Sequence, residues 1–172
     1  MISSAPFMPQ PQPVIDGFEF ASAGRSLEGS WPIRDFPRLR DMLAQDEGDI
    51  AYEVEGVHDA RGRPGLRVKA QGMLALRCQR CLEPLAFEVR ADELLVLAGT
   101  QAEIDAEPAD VNAADRVVGT KEMAVRDLVE DELILALPYA PRHPGCSAGA
   151  PEQAAEKTLP FAGLRGLMSG KH

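Results

Sequence analysis

Between residues 66 and 78 every second position is apolar or small, with Leu66, Val68, Ala70, Gly72, Leu74, Leu76 and Cys78 on one parity and Arg67, Lys69, Gln71 and Arg77 on the other. A helix would scatter such a set around its axis, whereas a strand puts it all on one face, so this run must be a strand that packs on one side and meets water on the other. Beyond CQRCLEP, Leu85, Phe87 and Val89 resume the alternation with Glu88 and Arg90. The two runs read as an antiparallel hairpin with CQRCLEP at its tip. Upstream, Ile50, Tyr52, Val54 and Val57 supply another strand, whose alternation breaks at Gly56, where a bulge or strand end is expected. The turn-rich HDARGRPG stretch, 58–65, links it to the first arm.

Around this framework the patterns are shorter. Phe18 and Phe20 alternate with Gly17 and Glu19, which predicts a short strand over 14–20. Phe36, Leu39, Met42 and Leu43 recur at helical spacing behind Asp35, a plausible N-cap. Residues 94–98 form a continuous apolar run, read as an extension of the second hairpin arm after a break at Asp92 and Glu93, with a helix as the alternative. Leu128, Val129, Leu133 and Leu137 mark a helix over 125–137 with carboxylates early, stopped by Pro138. Phe161, Leu164, Leu167 and Met168 suggest a last helical turn behind Pro160. The expected fold is α+β, an antiparallel β-sheet with a central hairpin, packed with two or three short helices. Residues 1–13, with four prolines, are expected to form a flexible arm, and 14–172 a single domain with an acidic mobile loop at 100–115.

The sharpest chemical feature is the Cys78–Cys81 pair at the hairpin tip. Two thiols three positions apart in a turn can face one tetrahedral ion, and His143 with Cys146, flanking Pro144 and Gly145, offers a second short pair. The four make a chemically complete Cys3His zinc site. The alternative is that Cys78, on the packed parity, is a buried thiol and the others are incidental. A thiol redox role is a third reading, against which the motif joins two strands instead of opening a helix. Glu130, Asp131 and Glu132 point about 100° apart in succession on their helix, which suits a solvated or partner-facing surface better than a shared ion. No P-loop, dinucleotide fingerprint or GxSxG elbow is present, and the chain is expected not to be an enzyme.

The net charge of −9 disfavours a general nucleic-acid field and suits a basic partner. Within that acidic background, Arg61, Arg63, Arg67, Lys69, Arg77, Arg80 and Arg90 gather around the hairpin, so Arg77, Gln79 and Arg80 are candidate partner or RNA contacts. No apolar run is long enough to span a bilayer, the N-terminus carries no signal-peptide pattern, and three cysteines suit a reducing compartment, so a cytoplasmic location is expected.

Three blocks together resemble the YceD family, the large ribosomal RNA subunit accumulation proteins: LRCQRCLEP at 76–84, LVEDELILALP at 128–138 leading to His143 and Cys146, and PFAGL at 160–164. The resemblance implies a cytosolic role in the synthesis, processing or stability of large-subunit ribosomal RNA, often encoded beside a small basic ribosomal protein. It implies no known active site. The expected partners are large-subunit ribosomal RNA or its precursor particle and a basic ribosomal protein, with direct RNA binding through the arginine-bearing hairpin as the alternative and a zinc-binding interaction module as a second.

Overall fold

A computed structural model describes residues 12–108 and 113–146. In chain order these form β1 (Val14–Ile15), α1 (Gly17–Ser22), β2 (Ser26–Pro32), a 3-10 turn (Ile33–Asp35), α2 (Pro37–Arg40), β3 (Leu43–Gln45) and β4 (Asp49–His58). Then come β5 (Pro64–Arg77), β6 (Pro84–Ala98), α3 (Gln101–Ala106), β7 (Arg116–Val118), β8 (Met123–Ala124) and α4 (Val125–Leu135). One sheet runs β2-β4-β5-β6-β7, with β3 pairing the far end of β5, and every pairing is antiparallel except the parallel β6–β7 pair. β1 and β8 make a separate small antiparallel pair. The architecture is mixed α and β, a mostly antiparallel sheet carrying short helices.

Register explains the amphipathic pattern. Gly56 faces Leu66, which faces Leu95, and Val54 faces Val68, which faces Glu93, so alternate residues of the three long strands share one face. That face, with Ile50, Val54, Leu66, Val68, Leu74, Leu76 and Val89 buried, packs against Phe20 and Ala21 of α1 and Val125, Val129 and Leu133 of α4. Trp31 stacks on Tyr52 with ring centres 3.9 Å apart and meets Phe36 edge-on. The opposite face is polar, its charges paired across strands: Lys69 with Glu53 at 2.8 Å and Arg67 with Asp92 at 2.6 Å.

Five local expectations are corrected. Residues 17–22 are helical because Asp16 accepts the Glu19 N–H at 3.0 Å as N-cap and Gly17, Phe20 and Ala21 then share one buried face. Only Pro37–Arg40 is α-helical behind the 3-10 turn, and Leu43 leaves to pair with Leu76. Asp35 is no cap, since both carboxylate oxygens are buried without a hydrogen-bond partner among the described residues. The first α2 amides, which have no partner within the helix, are met from far along the chain, where Glu130 Oε1 accepts the N–H groups of Arg38 at 2.7 Å and Leu39 at 3.0 Å. Gly56 is neither bulge nor strand end, because β4 continues to His58 in unbroken register. It is glycine for space: a Cβ there would lie 2.3 Å from the Phe20 carbonyl oxygen of α1. β6 likewise passes through Asp92 and Glu93 without a break.

The acidic stretch 100–115 contains α3, capped by the Thr100 hydroxyl, and Glu107 beyond it takes ion pairs from Arg63 at 2.9 Å and Arg116 at 2.7 Å. The first eleven residues of the expected arm and the helical turn predicted near 160–168 lie outside the described residues.

Candidate metal centre

β5 ends on the packed face, so Cys78 arrives fully buried at the base of the tip. The chain then turns tightly: Leu82 N–H donates to the Cys78 carbonyl at 3.0 Å, Cys78 N–H donates to the Glu83 carbonyl at 3.0 Å, and Leu82 takes φ 66°. This fold-back brings Cys81 over Cys78. The second lobe follows α4. Gln79 N–H donates to the Pro141 carbonyl at 2.9 Å, fastening residues 141–146 against the tip, and Gly145 at φ 74° lets the chain reverse so that Cys146 N–H reaches the His143 carbonyl at 3.1 Å.

Cys78, Cys81, His143 and Cys146 thereby come together, with all four ligand atoms within 4.8 Å of one another. The Sγ atoms of Cys78 and Cys146 are 3.9 Å apart, and Cys81 Sγ lies 3.4 Å from His143 Nδ1. Donors around a tetrahedral ion with bonds of about 2.0–2.3 Å sit about 3.3–3.8 Å apart, so the cluster, whose ligand atoms spread to 4.8 Å, holds one after closing by about 1 Å at its widest. The sulfurs are far from the roughly 2.05 Å of a disulfide, and all three cysteines are free.

Two further features suit a metal. His143 Nε2 lies 3.0 Å from the Pro84 carbonyl oxygen, to which it donates, leaving the Nδ1 lone pair facing Cys81. Around Cys78, the backbone N–H groups of Cys81, then of Arg80 and His143, point at the sulfur and bring its thiol down to about 5, so it is a ready thiolate. Cys146 is pushed the other way, to about 11, by burial and then by the neighbouring sulfurs of Cys81 and Cys78. A cation placed among these sulfurs would favour the ionised form of each. The Pro84 carbonyl had no sequence signal; it is the first residue of β6 and becomes a partner only through the return of the 141–146 lobe.

The other predicted contact residues disperse. Arg77 reaches back to the Leu43 carbonyl at 3.4 Å, and the Gln79 amide lies 3.5 Å from the Arg77 carbonyl. The Arg80 guanidinium is exposed and has no partner among the described residues. Arg61, Arg63, Arg67, Lys69 and Arg90 are all held in ion pairs. In the acidic cluster only Asp131 behaves as a solvated residue, while Glu130 and Glu132 are 2% and 4% exposed. Glu130 is consumed by the α2 amides and by Arg38 Nε at 3.0 Å. Glu132 sits on the helical stripe of Val125 and Leu128, a placement that an angular projection of α4 would have revealed.

Fold and site define a small sheet-and-helix domain whose central strands end in a Cys3His cluster able to hold a metal ion. The family model described as large ribosomal RNA subunit accumulation protein YceD matches residues 66–167, which include both lobes of the cluster, and the chain belongs to that family. A relative in Haemophilus influenzae, named large ribosomal RNA subunit accumulation protein YceD, is 26% identical over 170 residues, covering 89% of this chain and 93% of its own length. No solved structure matches. Among the described residues no helix is long and apolar enough to cross a membrane.

Proposed function

We propose that this protein is a non-catalytic factor, working in the cytoplasm, that supports the accumulation of large-subunit ribosomal RNA by engaging a basic ribosomal protein or the precursor particle that contains it. Family membership gives the process. The observation that carries the route is the disposition of charge: five of the seven cations around the hairpin are neutralised by neighbouring carboxylates, and the remaining charge of the chain is strongly acidic. Such a surface attracts a basic polypeptide and repels bare phosphate. The side chains best placed for chemistry form a ligand set with a supporting hydrogen bond, which suits a zinc clamp that rigidifies the hairpin tip as a recognition element.

Direct RNA contact has one observation in its favour, the exposed, unpartnered Arg80 beside Arg77. One arginine pair is a small electrostatic footprint against a net charge of −9.

The test compares cells with and without the protein. Large-subunit ribosomal RNA is expected to fall relative to small-subunit RNA in its absence and to recover when it is restored, and an unchanged ratio would sink the reading. Purified protein is expected to leave large-subunit RNA fragments unshifted when no protein partner is present. A shift abolished by Arg77→Ala with Arg80→Ala would instead establish the direct route.

A further inference from the structure

Where α4 crosses β6, a cleft of about 390 Å³ opens between helix and sheet, lined by Arg90, Ala91, Glu93, Asp115, Glu132 and Leu135. Its carboxylates occupy unusual positions. On β6 the core-facing row runs Val89, Ala91, Glu93, Leu95 and Leu97, so Glu93 interrupts an otherwise apolar file opposite Val68. On α4, Glu132 interrupts the apolar stripe and is more than nine-tenths buried, yet no hydrogen bond or ion pair engages it among the described residues. Burial, then the nearby charges of Glu93, Asp115 and Asp131, raise its carboxyl to about 7.

Such a carboxylate is costly to hold, since it has lost much of its solvent to the fold, keeps only what the cleft admits, and gains no partner in return. The neighbouring cations do not relieve it. Arg90, at the rim, is bound to Glu88 at 2.6 Å, Arg38 is bound to Glu130 at 3.0 Å, and Arg116 is bound to Glu107 at 2.7 Å. A single metal ion does not suit the cleft either, because the group of side chains near enough to ligate one ion among the described residues is the Cys3His cluster.

We propose that this cleft is the docking site for an arginine side chain of a basic polypeptide, with Glu132 at its floor and Glu93 and Asp115 at its sides. A planar guanidinium spreads five donors over several separated carboxylates, which a compact ammonium or metal ion does not. Its aliphatic stem matches the apolar walls, for Ala91 and Ala136 line the cleft and Leu135 stands at its lip with 71% of its surface exposed. The proposal rests on the reading above that a basic protein is the partner, and names where on the surface it is gripped.

The test uses the full chain with fluorescence anisotropy at low salt. The probe is a labelled peptide alternating arginine and glycine, compared with the same peptide carrying neutral citrulline for arginine. Wild-type protein is expected to bind the arginine peptide and not the citrulline one. Glu132→Gln should weaken binding on the order of tenfold or more, and Glu93→Gln, an exposed change that spares folding, several-fold, whereas Glu28→Gln on the outer surface should leave it within about twofold. Equal weakening by all three variants would overturn the cleft while leaving a diffuse acidic surface, and so the proposed route, intact. If wild-type protein binds neither peptide, both are overturned.

Discussion

Replacing Glu132 by Gln is expected to stabilise the free protein in alkaline conditions and to leave it unchanged in mildly acidic ones. The folded chain keeps the Glu132 proton up to about pH 7, while an ordinary glutamate releases it near 4.5. The folded state therefore binds the extra proton, so the stability associated with this group is complete below about pH 4.5 and is lost as pH rises through about 7. A gap of that size corresponds to about 3 kcal/mol at full strength, and access of solvent through the cleft reduces the expectation to about 2 kcal/mol. The amide has no such proton to lose. Urea unfolding, followed by the fluorescence of the single tryptophan, Trp31, which is buried against Tyr52, should give superimposable curves near pH 4.5. By pH 8.5 the variant should be more stable by about 2 kcal/mol with an unchanged slope, or about 5 °C in a thermal melt. Taking the difference between the two proteins cancels the titrating groups that do not interact with Glu132, leaving its own proton and its coupling to Glu93, Asp115 and Asp131. Parallel pH profiles would refute the reasoning, since they would mean that Glu132 is solvated or already paired.

Protein purified under reducing conditions should carry one zinc per chain by elemental analysis, lost in Cys146→Ser, and chelation should lower the melting temperature and free the 141–146 lobe, because metal binding energy is also folding energy here. Metal-free protein with an unaltered melt after chelation would remove the clamp. Gly56→Ala should cost about 1–3 kcal/mol in denaturant unfolding, because the added methyl meets the backbone of α1, which cannot swing aside as a flexible side chain would. A neutral result would mean that α1 is not seated on β4.

Period-two patterning on β4, β5 and β6 was sufficient to specify strands, their buried parity and the tip that carries Cys78 and Cys81, because each strand's alternation is decided by a local choice between core and water. The helix α4 was legible for the same reason. The short elements were not. Asp16, Gly17, Phe20 and Ala21 satisfy a capped helix as well as Phe18 and Phe20 satisfy a strand, and only docking of that helix on Gly56 selects between them. The candidate metal ligands were visible as residue types at suggestive spacing, whereas their convergence depends on the Gln79–Pro141 backbone bond that folds one lobe onto the other. Composition and charge alone determined the strong acidity on which the proposal of a basic partner rests. What tertiary structure decided is which carboxylates remain without a partner. Glu130 and Glu132 are near neighbours with the same side chain, but Glu130 meets the bare amides of α2 and Glu132 meets an open cleft, since partnership depends on what lies across the interface and no local pattern encodes that.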